Sequence, residues 1–113
     1  MSAYAVGHLH AAARHEDVFV YMERIQATLD PFAGRFLVHG TEVEVREGEW
    51  PGYLVVIGFP DIDQARGWYD SDAYREIVPL RTRHITADVV LADGVAPGYE
   101  AAHTAARMRQ QAG

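Results

Sequence analysis

The order of hydrophobic periods along the chain constrains its fold more than any other feature. Alternation with period two predicts a strand, and apolar residues three or four apart predict the buried face of a helix. The predicted strands cover residues 3–11, 35–46, 53–59 and 85–91, and the predicted helices cover residues 16–30 and 62–78. The order β-α-β-β-α-β is that of the ferredoxin-like split βαβ unit. It predicts an α+β fold in which both helices cover one face of a four-stranded antiparallel sheet.

Glycine and proline mark the expected breaks within these elements. Pro31 ends the first helix near Asp30, and the Gly40–Thr41 step predicts a bulge or bend in the long second strand. Asp61 followed by Gln64 resembles a capping box at the start of the second helix. Ser71 is placed to cap a further helical piece, which Pro79 is expected to kink or end.

A sheet with helices on one side leaves its other face open. The strand at 53–59 is apolar on both faces, and Val90 and Ala92 add apolar groups to the last strand. Soluble monomers rarely expose a large apolar patch, and a two-fold dimer is the commonest way to cover one. We therefore expect a homodimer that forms through the sheet face.

Length and composition bound the class of protein. With 113 residues we expect one domain at 1–95, followed by an Ala-rich extension at 96–113 that is a helix or a flexible segment. The absence of cysteine excludes disulfides, thiolate nucleophiles and cysteine-based metal sites, and is consistent with the cytoplasm. A net charge of −6 argues against nucleic acid as a partner, and no apolar run approaches the ~20 residues that span a membrane.

Several short motifs resemble those of one known family. They are Ala3-Tyr4, the run from Gly34 to Gly40, Glu42–Val45 with Glu47-Gly48, Phe59-Pro60, Ala65–Ser71 with Tyr74, and Pro79-Leu80-Arg81. In this order and spacing they resemble the domain of unknown function family 1330, over about residues 3–95. That family resembles the dimeric α/β-barrel superfamily, in which two sheets pack back to back.

The resemblance implies a range of activities without selecting one. Other branches of the superfamily include cofactor-free monooxygenases, haem proteins, muconolactone isomerases and polyketide cyclases. The chain departs from similar sequences at His39, where arginine is more usual, at Thr41, where glycine is common, and at His8 and His10, where acids are often found. If that arginine binds an anion in relatives, His39 need not do so here.

Histidines are the first group of candidate functional residues. His8 and His10 lie on one face of the first strand, about 7 Å apart, so that together they can present two imidazoles to a metal. His39 or His84 would supply a further ligand from a neighbouring strand. The alternatives are a general base among His8, His10 and His39, since imidazole titrates near neutral pH, or strand histidines without a ligand.

Aromatic and arginine residues form the second group of candidates. Trp68, Tyr69 and Tyr74, with Arg81 beyond them, can line an apolar pocket between helix and sheet, and Arg35 can orient a polar group of a substrate. The same aromatic spacing is also typical of a helix core, which is the favoured interpretation of Trp68. Arg35 can instead pair with Glu44 at the strand edge.

Three hypotheses about function follow. The first is a cofactor-independent enzyme that oxygenates, cyclises or isomerises an apolar, aromatic or polyketide-like molecule by histidine-mediated proton transfer. The second is a dimer that binds a small ligand or a partner without catalysis, and the third is a haem or metal binder that uses His8 and His10. No nucleotide-binding glycine motif, nucleophile elbow or zinc-protease motif occurs, and Ser2 and Ser71 are the only serines.

Overall fold

A four-stranded antiparallel sheet carries the fold, as the sequence predicts. The computed structural model describes residues 1–113. The strands are β1 (Ala3–Leu9), β2 (Arg35–Glu42), β3 (Tyr53–Phe59) and β4 (Ala87–Asp93). Their order across the sheet is β2-β3-β1-β4, so β1 and β3 are the central strands. The ferredoxin-like α+β prediction is confirmed.

The helices that build the core lie on one face of this sheet. They are α1 (Glu16–Leu29), a short 3-10 helix (Asp30–Phe32), α2 (Ile62–Asp70) and α3 (Asp72–Thr82). The buried core joins alternate residues of β1 and β3 to residues of these helices. This face is called the inner face below, and the opposite face, which no helix of the chain covers, is called the outer face.

Side-chain caps fix where the helices begin. His15 Nδ1 accepts a hydrogen bond from the Asp17 N–H (3.0 Å) at the start of α1. Asp61 Oδ1 accepts one from the Gln64 N–H (2.8 Å) at the start of α2, which confirms the predicted cap. Ser71 Oγ accepts a hydrogen bond from the N–H of Tyr74, the third residue of α3 (3.3 Å), so Ser71 caps that helix as expected. Such caps satisfy backbone donors that a helix start leaves open.

Three predicted boundaries are wrong, each for a local reason. Strand β2 ends at Glu42, because its partner β3 begins at the paired residue Tyr53 and offers nothing further to bond. Strand β4 begins at Ala87, whereas Ile85 belongs to the turn after α3 and donates its N–H to the Arg81 carbonyl (2.9 Å). Of the two outcomes expected at Pro79, a kink or an end, the end is wrong: α3 continues to Thr82, since one exposed proline removes only one helical hydrogen bond.

Two bulges decide which residues of β2 face the helices. The pairing register shifts between Phe36 and Val38 and again between His39 and Thr41, where Gly40 has a φ of 67°. The second shift confirms the predicted bulge. As a result Phe36 and His39 both pair with inner-face residues of β3, although simple alternation would place them on opposite faces.

Strand β3 is buried less evenly than its sequence predicts. Residues 57–59 are buried, but Leu54 and Val56, which point to the outer face, are only half-buried. Strand β3 is therefore covered by helices on one face only, and its apolar outer face stays partly exposed in the single chain.

The chain ends in a helix that lies apart from the core. Helix α4 (Ala101–Ala112) has no buried residue. No helix of the structure combines the length and the hydropathy that crossing a membrane requires.

Candidate functional site

A largely apolar cavity lies between the inner face of the sheet and helices α1 and α3. Its volume is about 340 Å³, and 16 of its 20 lining residues are hydrophobic. The lining residues are Ala5, Gly7, Leu9, Ala12, Ala13, Val18, Tyr21, Met22, Ile25, Phe36, His39, Gly40, Tyr53, Val55, Ile57, Trp68, Tyr74, Arg81, Ile85 and Val89. A cavity of this size and composition is typical of a small-molecule site.

Small residues on the central strand create this cavity. Ala5 and Gly7 form the floor from β1, between larger side chains of the two neighbouring strands. Helix and sheet layers are held apart by the larger residues around them, so two missing side chains in the middle leave space. The sequence shows these small residues but not the space above them.

Two tyrosines and one arginine supply polar groups to the cavity. The hydroxyl oxygens of Tyr21 in α1 and Tyr74 in α3 are 2.7 Å apart and share a hydrogen bond. Arg81 lies seven residues after Tyr74 on the same face of α3, with its guanidinium carbon 5.6 Å from the centre of the Tyr21 ring. Because one hydrogen bond uses one of the two hydroxyl protons, the second remains to be donated to another acceptor.

Arg81 is a buried cation without a carboxylate partner. Only 7% of its surface is exposed, yet none of the ion pairs in the structure includes it. Burial by itself lowers the pKa of the guanidinium, but the Tyr21 and Tyr74 oxygens outweigh burial and raise it. Burial, followed by the charge of Tyr74, raises the pKa of Tyr21. The cavity therefore holds a fixed positive charge beside a neutral Tyr21 hydroxyl.

Trp68 forms a wall of the cavity and is fixed by two hydrogen-bonded contacts. Its indole N–H donates to Thr28 Oγ1 (3.0 Å), and Thr28 in turn donates to the Ile25 carbonyl (2.6 Å). Its backbone carbonyl accepts from Ser71 Oγ (2.7 Å), the group that also caps α3. The Trp68 and Tyr74 rings consequently lie 4.1 Å apart between centroids.

The structure brings four of the predicted site residues to the cavity. Trp68, Tyr74 and Arg81 line it deep between the helices, and His39 lines it from the exposed side, where its ring lies 4.4 Å from that of Phe36. Tyr69 is not in the lining but packs behind Trp68, at 5.9 Å between ring centroids.

The structure places the other predicted residues on the outer face. Arg35 pairs across the sheet with Gly58 and is exposed there, while Glu44 is paired with Arg46 (2.8 Å). The predicted pairing of Arg35 with Glu44 is therefore wrong. His8 and His10 also belong to the outer face, since their strand directs alternate residues away from the cavity.

His8 and His10 form a cluster with Asp88 at one end of the outer face. The two imidazole rings stack 4.5 Å apart, and His8 also stacks on Trp50 at 4.1 Å. His10 Nε2 lies 2.7 Å from Asp88 Oδ2 on the neighbouring strand, and His8 Nε2 is hydrogen-bonded to the Pro51 carbonyl. The potential ligand atoms of His8, His10 and Asp88 all lie within 4.8 Å of one another.

The third member of that cluster differs from the expectation. The sequence predicts His39 or His84 as a further ligand, but His39 is on the inner face and His84 lies beyond α3 beside Asp17. The prediction is wrong because bulges turn His39 to the inner face, and His84 precedes β4 instead of lying on it. Asp88 has no signal in the sequence, since its partner His10 is 78 residues away.

Sequence reasoning also missed Tyr21. It lies four residues before Ile25 in α1, which places both on the same face of that helix. That spacing is the signal that could have identified it.

Fold and cavity together define a ferredoxin-like α+β protein with a small-molecule-sized apolar cavity between its helices and its sheet. The model of the family described as domain of unknown function, DUF1330, matches residues 2–95. The chain belongs to this family. A search of curated proteins gives no match.

Solved structures with the same fold include proteins of known and unknown function. A mutant of SnoaB, a cofactor-independent oxygenase from Streptomyces nogalater, is 15% identical with a TM-score of 0.58, over 88% of this chain and 98% of that chain. HapK from Hahella chejuensis is 16% identical with a TM-score of 0.54, over 88% and 98%. A dimeric ferredoxin-like protein of unknown function from Jannaschia sp. CCS1 is 14% identical with a TM-score of 0.56, over 83% and 100%.

The buried contact between Trp68 and Thr28 gives a test of the cavity wall. Replacing Thr28 with valine keeps the shape but leaves the indole N–H without an acceptor, so we expect the free energy of unfolding to fall by about 1–3 kcal/mol. Urea denaturation followed by circular dichroism measures it. Thr28→Ser, which keeps the hydroxyl, should lose less, and equal losses in the two variants would contradict the assigned role of this hydrogen bond.

Proposed function

We propose that the protein is a homodimeric, cofactor-independent enzyme that acts on an apolar or aromatic, polyketide-like molecule bound in the cavity. One observation carries the proposal: a largely apolar cavity contains a buried arginine that no carboxylate of the chain neutralises. A buried charge is costly unless it is paired. An apolar substrate that carries a carboxylate, phenolate or enolate oxygen would supply the missing partner.

The hydroxyl groups of Tyr21 and Tyr74 also favour a substrate with an oxygen that can accept a hydrogen bond. Tyr74 is 2% exposed, so its hydroxyl is shielded from bulk water while the Tyr21–Tyr74 pair retains one proton to donate. An oxygen next to Arg81 would receive charge-assisted hydrogen bonds from the guanidinium and a further one from the hydroxyl pair. The apolar remainder of the substrate would pack on Trp68 and on the small residues of β1.

His39 is the proposed base for proton abstraction. It is the one histidine in the cavity lining, and histidine is the side chain most often used as a general base. A proton removed from a carbon next to a carbonyl would leave an enolate, whose charge Arg81 would stabilise. Reprotonation at another carbon gives isomerisation, and attack on a second carbonyl of the substrate gives cyclisation.

Oxygenation is the third possible outcome of the same proton transfer. Here the substrate anion gives its electrons to dioxygen, one oxygen atom becomes a carbonyl of the product, and the other leaves as water. SnoaB, which shares the fold, is described as a cofactor-independent oxygenase. At 15% identity this likeness supports the capacity of the fold for such chemistry and not the identity of the reaction.

The outer face supports the proposed homodimer. Four valines, Val38, Val56, Val6 and Val90, lie in one row across all four strands. Val90 is 57% exposed in the single chain, and charged residues such as Arg35 and Asp88 lie toward the ends of this face. An apolar centre with a polar rim is the usual composition of a stable interface. The ferredoxin-like protein of unknown function from Jannaschia sp. CCS1 is described as dimeric.

Two alternatives remain open to test. A dimer that binds a small anion without catalysis would use the same cavity and the same arginine. A metal or haem binder would use the cluster of His8, His10 and Asp88, whose ligand atoms lie within 4.8 Å of one another. Because that cluster lies on the outer face, it would act independently of the cavity.

The role of Arg81 predicts a preference for anions. We expect the protein to bind naphthoate at least about 10-fold more tightly than uncharged naphthamide, since hydrogen bonds to charged groups contribute about 1.5–3 kcal/mol. Arg81→Met should abolish this preference in isothermal titration calorimetry. The control is Arg83→Met, an exposed arginine outside the lining, which should keep it. Retention of the preference in Arg81→Met would refute the proposed anion site.

The role of His39 predicts loss of proton transfer without loss of binding. Anthrone, a tricyclic ketone with an acidic methylene group, is a suitable probe, and NMR follows the exchange of that group in deuterium oxide. We expect His39→Gln to lower the enzyme-catalysed exchange rate by about 10²–10⁴-fold, the usual contribution of a general base. His103→Gln, on the exposed helix α4, should not change it. Equal rates for His39→Gln and the wild type would contradict this role, and no exchange in the wild type would favour the binding alternative.

The row of valines predicts how the dimer can be broken. Val90→Glu would bury a charge from each protomer in the apolar centre of the interface, so we expect it to sediment as a monomer at concentrations where the wild type is a dimer. Val95→Glu is the matched control, since the exposure of Val95 (61%) is similar to that of Val90 (57%) but Val95 lies beyond β4. A wild type that sediments as a monomer at micromolar concentration would overturn the proposed dimer.

A further inference from the structure

A second cluster of potential ligands joins the start of α1 to the end of α3. His15 caps α1, Asp17 lies in its first turn, and His84 follows α3 by two residues. Their potential ligand atoms all lie within 4.8 Å of one another. None of the three lines the cavity, and the proposed reaction uses none of them.

The distances within this cluster are close to those around a metal ion. His84 Nε2 lies 2.9 Å from Asp17 Oδ2, and His15 Nδ1 lies 3.7 Å from the same oxygen. In a tetrahedral site with bonds of about 2.0–2.2 Å, neighbouring ligand atoms are about 3.3–3.6 Å apart. These two separations lie on either side of that range, and all three pairs of ligand atoms lie within 4.8 Å, so small shifts together with the rotation of one ring would bring the atoms around one ion.

The ligand set selects the kind of ion. Two imidazoles with one carboxylate suit zinc and similar transition metals, whereas calcium and magnesium prefer oxygen ligands alone. We propose that His15, Asp17 and His84 form a binding site for a divalent transition-metal ion of the zinc class. Three protein ligands leave a fourth position for water or another small ligand.

An ion bound to this cluster would affect the cavity, because the cluster lies next to two residues of the cavity lining. Val18 follows Asp17 and Ile85 follows His84, and both of these neighbours line the cavity. An ion bound to the cluster would therefore link two walls of the cavity that otherwise meet only through side-chain contacts. This inference does not depend on the proposed reaction.

The side chains must adjust in one respect. The His15 and His84 rings are stacked, with centroids 3.7 Å apart and 20° between their planes, so their lone pairs run side by side. For both to point at one ion, one ring must turn, and His15, with half of its side chain exposed, has room to do so. His15 would ligate through Nε2, or through Nδ1 with loss of its cap to the Asp17 N–H.

The charges around the cluster act on a cation in opposite directions. Arg83 and the positive end of α1 repel a cation, whereas the Asp17 carboxylate in the first turn of α1 attracts one. The His8, His10 and Asp88 cluster is more open, since the side chains of His10 and Asp88 are 40% and 73% exposed, against 23% for His84, 33% for Asp17 and 50% for His15. Ligands held by their surroundings bind a metal more tightly than mobile ones, so the second cluster is the stronger candidate.

Zinc titration of the full chain tests this proposal. The double variant His8→Gln, His10→Gln removes the outer-face cluster, and isothermal titration calorimetry should then still give one zinc ion per chain with micromolar or tighter affinity. Cobalt bound at the same site should give visible absorption bands of a tetrahedral or five-coordinate ion.

Further variants in this double background assign the ligands. We expect His84→Gln and Asp17→Asn each to weaken zinc binding at least about 10-fold, since even outer-shell partners of a metal contribute this much. His103→Gln should leave the isotherm unchanged, and circular dichroism verifies that each variant is folded. No saturable zinc binding by the folded double variant, or unchanged affinity in both His84→Gln and Asp17→Asn, would overturn the proposal.

Discussion

The packing of helices over a central strand of small residues is the constraint on which the rest of the structure depends. Ala3, Ala5 and Gly7 occupy the inner face of β1, and none of them has a side chain larger than a methyl group. At Ala3 the space is filled, because Phe59 pairs with it and packs on Trp68. Above Ala5 and Gly7 the space remains, and it becomes the cavity.

The polar groups of the cavity depend on how the second helical region is interrupted. Ser71 ends α2 and begins α3, so the two helices can direct Trp68 and Tyr74 toward each other. Because α3 then continues through Pro79, Arg81 reaches the same cavity about two turns after Tyr74. A buried guanidinium that no carboxylate neutralises favours an anionic occupant of the cavity, which connects the local helix chemistry to the proposed substrate.

The two faces of the sheet serve different purposes in this interpretation. The inner face encloses the cavity, while the outer face presents a row of valines with a histidine and aspartate cluster at one end. A partner chain on the outer face would cover the apolar centre without reaching the cavity. The two histidine clusters lie on different parts of the fold, which allows each to be altered without changing the other.

The sequence by itself determined the order of the elements, the antiparallel α+β fold and the family, and it named Trp68, Tyr74 and Arg81 as pocket candidates beside the alternative that Trp68 is core. Periodicity and short motifs are local properties, so these inferences needed no distant contacts. Tertiary structure alone decided the rest. The bulges in β2 placed His39 on the inner face, the direction of β1 placed His8 and His10 on the outer one, and pairing across 78 residues brought Asp88 to His10. Alternation separates two faces without indicating which one the helices cover, and contacts between distant segments leave no local pattern.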